Sequence, residues 1–111
     1  MRTFKTGATR DKEEGKLDYE AFFCPLVRKR RAEFMHSKRF QNGGTMRDGD
    51  NWQKGIPLDS YIKSGNRHFE DWLLHHRGYS DEAHEDLETA LCALMFNVEG
   101  YLHEILKTKR G

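Results

Sequence analysis

The clearest pattern lies in the C-terminal part of the chain. Leu87, Leu91, Leu94, Val98, Leu102 and Ile105 recur at spacings of three and four, which puts them on one face of a helix. The helix is expected to begin near Ser80 or Asp81, where Ser80 can cap the first free N–H groups. Lys107, Lys109 and Arg110 close its far end, where the helix dipole favours cations. Before it, Ile62, Phe69 and Leu73 follow the same spacing, with Tyr61 and Trp72 beside them. They predict a second helix, capped by Asp59 or Ser60 and ended by Gly78. Gly65 interrupts it. A helical Gly costs about 1 kcal/mol relative to Ala, so close approach of a neighbouring helix or of a ligand is expected there. A further helix is predicted from Pro25 to about Phe40, with Val27, Phe34 and Met35 near one face. Pro25 suits a first turn, where its missing N–H costs nothing.

The remaining segments lack periodicity. Residues 41–59 read as a long loop, marked by Asn42-Gly43-Gly44, Asp48-Gly49-Asp50 and Ile56-Pro57. Trp52 inside that loop either folds back onto the core or stacks on a planar ligand such as a base. Residues 1–20 are polar and broken by Gly7 and Gly15, which reads as a frayed tail or as a loop clasping a ligand. No alternating pattern calls for a sheet. The chain is therefore expected to be one all-α domain over residues 1–111, with three main helices. The second and third are expected to form an antiparallel hairpin, because Arg77-Gly78-Tyr79-Ser80 leaves only a short turn between them.

Composition changes this picture in one respect. With 111 residues, 36% hydrophobic and 33% charged, the chain buries little core alone, so association into a homo-oligomer is expected. The net charge of +1 implies no polyanion partner, and no specific nucleic-acid partner is expected. No apolar run reaches the ~18–20 residues that span a bilayer, so no membrane partner is expected. Two cysteines, Cys24 and Cys92, are read as free thiols in a reducing cytoplasm.

Candidate chemistry gathers at the predicted hairpin bend. His68 and Asp71 stand three residues apart, as do Glu82, Glu85 and Glu88, and that spacing shares a helix face. Across a short turn, Asp71 is expected near Glu85 and Asp86, and His68 near Glu88. Converging carboxylates repel one another unless a cation binds, a proton is taken up, or they point into water. Asp71, Glu85, Asp86 and Glu88 are accordingly candidate metal ligands. Mg²⁺ needs only one or two carboxylates beside substrate phosphates, whereas an imidazole such as His68 shifts the preference towards Mn²⁺ or another transition metal. His68 and Glu85 are the candidate acid/base groups. Arg10, Lys16 and Arg67 are candidate phosphate contacts and Trp52 a candidate base contact. The plainer reading makes Glu82, Glu85 and Glu88 a solvated helix face, and His75 and His76 surface residues near a helix end. Arg28-Lys29-Arg30-Arg31 is either a solvated face or a phosphate-facing edge. Asn97, on an apolar face, needs partners for its amide. Glycine-rich phosphate loops, nucleophile elbows and Cys-His zinc spacings are absent.

Four blocks resemble a phage-associated family described as dATP/dGTP diphosphohydrolase, N-terminal domain. They are Thr6-Gly7-Ala8-x-Arg10-Asp11 with Gly15-Lys16, Asn51-Trp52-x-Lys54-Gly55-Ile56-Pro57, Ser64-x-x-Arg67-His68, and Phe96-Asn97-Val98-x-Gly100. The resemblance implies metal-dependent hydrolysis of a purine deoxynucleoside triphosphate to the monophosphate and pyrophosphate, in the cytoplasm of a phage host. It also suggests kinship with all-α MazG-type pyrophosphohydrolases, which hold Mg²⁺ on Glu-x-x-Glu and Glu-x-x-Asp pairs. The matching pairs here are His68-x-x-Asp71, with a His where an acid is expected, and Glu85-x-x-Glu88. A non-catalytic protein that sequesters a nucleotide or signal molecule is the alternative expectation, and a helical interaction module without a small ligand is a third.

Overall fold

A computed structural model describes the chain except residues 1, 4, 8, 11–14 and 41–44. The structure is mostly helical. A minimal antiparallel pair, β1 (Arg2–Thr3) and β2 (Thr9–Arg10), precedes four helices: α1 (Tyr19–Phe22), α2 (Pro25–Ser37), α3 (Leu58–His76) and α4 (Leu87–Arg110). Among the described residues, no helix is long and apolar enough to cross a membrane.

Local chemistry sets the boundaries. Asp18 opens α1 by accepting the Ala21 N–H at 2.9 Å. Pro25 occupies the first turn of α2, as its fixed φ favours, and the helix ends at Ser37, three residues before the expected Phe40. There the Ser37 hydroxyl donates to the Phe34 carbonyl at 2.7 Å. The following loop is closed by the Arg47 N–H on the Arg39 carbonyl and by Arg39 Nε on the Arg47 carbonyl. A 3₁₀ turn over Asn51–Lys54 follows. The Asn42-Gly43-Gly44 turn signal lies outside the described residues.

Helix α3 starts at Leu58, directly after the extended Pro57, slightly earlier than an Asp59 or Ser60 cap implies. It ends as expected at Gly78, whose φ of +86° is open to glycine. The Tyr79 N–H bonds the Leu74 carbonyl and the Gly78 N–H bonds the His75 carbonyl, the pairing of a Schellman end. Helix α4 starts at Leu87, later than the expected Ser80 or Asp81. The intervening residues make only one short 3₁₀ turn, Ser80–Glu82, before Ala83 turns extended.

Helices α3 and α4 pack along each other in opposite directions. Tyr61 lies on Gly100, Gly65 faces Asn97 closely enough that an added Cβ would stand 3.6 Å from the Asn97 Cβ, and Asp71 reaches His84. Helix α2 covers one side of α4, burying Phe34 against Cys92 and Ala93, with Met35, Met95 and Phe96 around them. Arg30 and Arg31 of α2 bind Glu88 and Glu99 of α4 across this contact. Half-exposed ion pairs of this kind add little stability, but they fix orientation. Asn97 is buried and donates to the Ala93 carbonyl at 2.7 Å, which satisfies part of its amide. Cys24 and Cys92 are free. The core is thin: among the described residues no large side chain is fully buried.

Candidate functional site

Three polar residues of α3 line up at positions 68, 71 and 75. Those spacings of three and four put them on one face, turned towards the linker before α4. Each makes a different bond to that linker. His68 Nδ1 lies 2.5 Å from Glu85 Oε1, with both side chains about four-fifths buried (21% and 22% exposed). Asp71, 4% exposed, accepts the main-chain N–H of His84 on Oδ1 at 3.1 Å. His75 contacts the Ser80 hydroxyl through Nδ1 at 2.8 Å and the Glu85 carbonyl through Nε2 at 2.7 Å. These bonds explain the late start of α4: side chains of α3 take up linker N–H and C=O groups that a helical turn would otherwise satisfy.

The carboxylates of the bend are thus distributed among partners. Glu85 meets an imidazole, Asp71 a backbone amide, and Glu88 the Arg30 guanidinium at 2.7 Å. That bond to Glu88 also raises the Arg30 pKa. Asp86 precedes the first turn of α4 without closing a side-chain cap. The nearby Thr89 hydroxyl, then the Thr89 backbone N–H and Arg30, hold its carboxyl below the ordinary 3.8. Among the described residues no group of three or more His, Cys, Asp or Glu side chains is placed to hold a metal ion. His68 and Glu85 meet each other, and Asp71, one turn along α3, has its Oδ1 on the His84 amide.

The other candidates stand apart from this cluster. Trp52 is half-buried and packs edge-on against His103, with ring centroids 4.6 Å apart. It lines a small pocket of about 110 Å³ with Arg31, Phe96 and Glu99. Glu99 lies eleven residues beyond Glu88 on α4, ~16 Å along the axis. Trp52 therefore folds back onto the helices at a distance from the bend. Arg67 is exposed and donates to the Ser64 hydroxyl at 3.0 Å. Lys16 is exposed. Arg10 lies in β2 opposite Arg2, and its side chain is not among those described. Of the basic run, Arg28 and Lys29 are exposed, while Arg30 and Arg31 serve the α4 ion pairs.

Two participants escaped sequence reasoning. His75 is a linker partner, not a bare surface residue, and its place one turn past Asp71 on the same face was the available signal. Arg30 neutralises Glu88 from a helix that no short-range spacing connects to it. Comparison with family models, with characterised proteins and with solved structures finds no match for this chain.

Proposed function

We propose that the bend between α3 and α4 is a nucleotide site at which a purine deoxynucleoside triphosphate is hydrolysed to its monophosphate and pyrophosphate. The observation that carries this reading is the enclosed His68–Glu85 pair beside the buried Asp71. A carboxylate facing Nδ1 holds that nitrogen protonated and leaves Nε2 as a base. His68 then takes a proton from water through Nε2, while Glu85 orients the ring and stabilises the imidazolium. The water oxygen bonds to the α-phosphorus, the bond from that phosphorus to the bridging oxygen breaks, and pyrophosphate leaves with the electron pair. Asp71 and the free oxygen of Glu85 are the residues that would hold Mg²⁺ or Mn²⁺, with Asp86 as an alternate. Such an ion supplies charge neutralisation at the phosphates. Glu88 is a weaker candidate, since Arg30 already binds it. Arg67, Lys16 and Arg10 remain phosphate contacts in this reading. A base contact from Trp52 would require a substrate reaching well along α4. The motif resemblance supports the same reaction, and a cytoplasmic location belongs to this reading.

The reading includes a homo-oligomer. On the side away from α2, helices α3 and α4 form an apolar groove of about 610 Å³ lined by Ile62, Phe69, Leu94, Val98, Leu102 and Ile105. Val98 is 61% exposed and Ile62 54%. The radius of gyration is 19.2 Å, against roughly 13 Å for a compact chain of this length. A chain with so little interior needs an obligate partner, and obligate partners are most often second copies. Two helix pairs closing on this face make a four-helix bundle.

The engagement of Glu88 by Arg30 favours a second reading, a nucleotide-binding protein that needs neither metal nor turnover. Incubating the protein with a deoxynucleoside triphosphate panel and Mg²⁺ or Mn²⁺, followed by chromatography, separates the two. Monophosphate and pyrophosphate support hydrolysis, stoichiometric retention of intact triphosphate supports sequestration, and neither outcome removes the nucleotide.

A further inference from the structure

We propose that His75 is the positioning residue of this site, holding the linker so that the Glu85 carboxylate meets His68. The catalytic consequence rests on the hydrolytic reading above; the positioning itself does not.

The linker has little else to hold it. Residues 79–86 are exposed except Ala83, which is partly buried, and Glu85, whose side chain is mostly buried. Their own backbone bonds end with Glu82 N–H on the Tyr79 carbonyl and Ala83 N–H on the Ser80 carbonyl. Beyond Ala83, the chain is held by α3 side chains until the Ala90 N–H bonds the Asp86 carbonyl in α4. Asp71 fixes the His84 amide, one residue before Glu85. Among the described residues His75 alone grips the Glu85 main chain, and through Ser80 it grips the start of the linker as well. The Glu85 side chain therefore leaves a backbone fixed on both sides, which is what a 2.5 Å approach to His68 requires.

The bonds also dictate where the protons sit. A carbonyl oxygen only accepts, so His75 Nε2 carries the hydrogen and donates to the Glu85 carbonyl. In the neutral ring Nδ1 then accepts from the Ser80 hydroxyl. His68 is the reverse: a carboxylate only accepts, so its Nδ1 carries the hydrogen. Two imidazoles seven residues apart on one helix thus hold opposite tautomers.

Long-range ¹⁵N–¹H correlation of the histidine rings, on the full chain at a pH above imidazole titration, tests this directly. His75 is expected to carry its proton on Nε2 and His68 on Nδ1. His75→Ala is expected to abolish the exchange-protected His68 Nδ1–H signal and to lower kcat for pyrophosphate release about 10–100-fold while KM stays within about threefold. His75→Gln, which keeps a donor for the Glu85 carbonyl, is expected to recover most of both. A His75 protonated on Nδ1, or a His68 signal unchanged in His75→Ala, overturns the proposal. If His75→Ala does not fold, the wild-type tautomers still decide it. If the wild type shows no turnover while the tautomers are as stated, the hydrolytic reading fails and the positioning role stands.

Discussion

Asp71 Oδ1 and the His84 amide are joined by a 3.1 Å hydrogen bond that ties the middle of α3 to the linker before α4. Loss of the acceptor leaves the His84 N–H without its protein partner and opens a gap at the buried Asp71 position. Asp71→Ala is expected to lower stability in urea titration by about 1–3 kcal/mol. Asp71→Asn keeps an acceptor oxygen and is expected to lose less. If Asp71 also holds the cation, the Asn variant stays folded and loses turnover, which separates the two roles.

Packing between α3 and α4 depends on a single missing side chain. A Cβ on Gly100 would stand 2.6 Å from the Tyr61 phenol oxygen, and Tyr61 is buried and cannot swing aside. Gly100→Ala is expected to cost about 1–3 kcal/mol, as overpacking does. Gly65 is a contrast. A Cβ there meets the Asn97 Cβ at 3.6 Å, an ordinary contact. Gly65→Ala is expected to be neutral or to stabilise by up to about 1 kcal/mol through helix propensity. Thermal unfolding of the two variants side by side checks the difference in sign.

The groove between α3 and α4 makes the oligomer testable. Val98→Glu places a charge on the most exposed apolar position of that face. Sedimentation is expected to show a multimer for the wild type and a monomer for the variant, with a lower unfolding midpoint. The wild-type midpoint is expected to rise with protein concentration, as mass action demands. A wild type that sediments as a monomer at every concentration contradicts the assignment.

The Asp86 carboxyl is held below its ordinary value of 3.8, chiefly by the Thr89 hydroxyl. A group with a depressed folded-state pKa adds stability that is present above its unfolded value and is lost as pH falls through the folded one. Asp86 is fully exposed, so its contribution is small. Carboxyl NMR titration is expected to place Asp86 below 3.8, with Thr89→Val moving it up. An unchanged titration in that variant would remove Thr89 as the cause.

Much of the helical architecture was legible because apolar periodicity reports a helix, although not which face is buried: Val98, Leu102 and Ile105 line an open groove, and the buried residues of α4 are Ala90, Cys92, Ala93, Asn97 and Gly100. Leu91, Leu94 and Ile105 marked α4, and Gly78 marked the end of α3 through its left-handed backbone. The start of α4 was not legible. Ser80 and Asp81 carry every local mark of a helix start, yet Asp71 and His75 supply the competing hydrogen bonds from another element. Local propensity cannot register such long-range partners. The same reason hid the Arg30 bond to Glu88, 58 residues away in the chain. Trp52 was legible only as an alternative, and the structure takes the core-facing one. The register across the bend was not legible either: spacing put Asp71 beside Glu85 and His68 beside Glu88, whereas His68 meets Glu85, Asp71 meets the His84 amide and Glu88 meets Arg30, because the chain is not helical until Leu87.

The rate of pyrophosphate release from dATP and dGTP, with Mg²⁺ or Mn²⁺, tests the central claim most directly when wild type and Glu85→Gln are compared. The account predicts turnover by the wild type and a loss of at least about 100-fold in Glu85→Gln, which takes from His68 the carboxylate that orients its ring and stabilises the imidazolium. The variant's thermal unfolding should stay close to that of the wild type. Full activity in Glu85→Gln, or no pyrophosphate from the wild type with either metal, would contradict it.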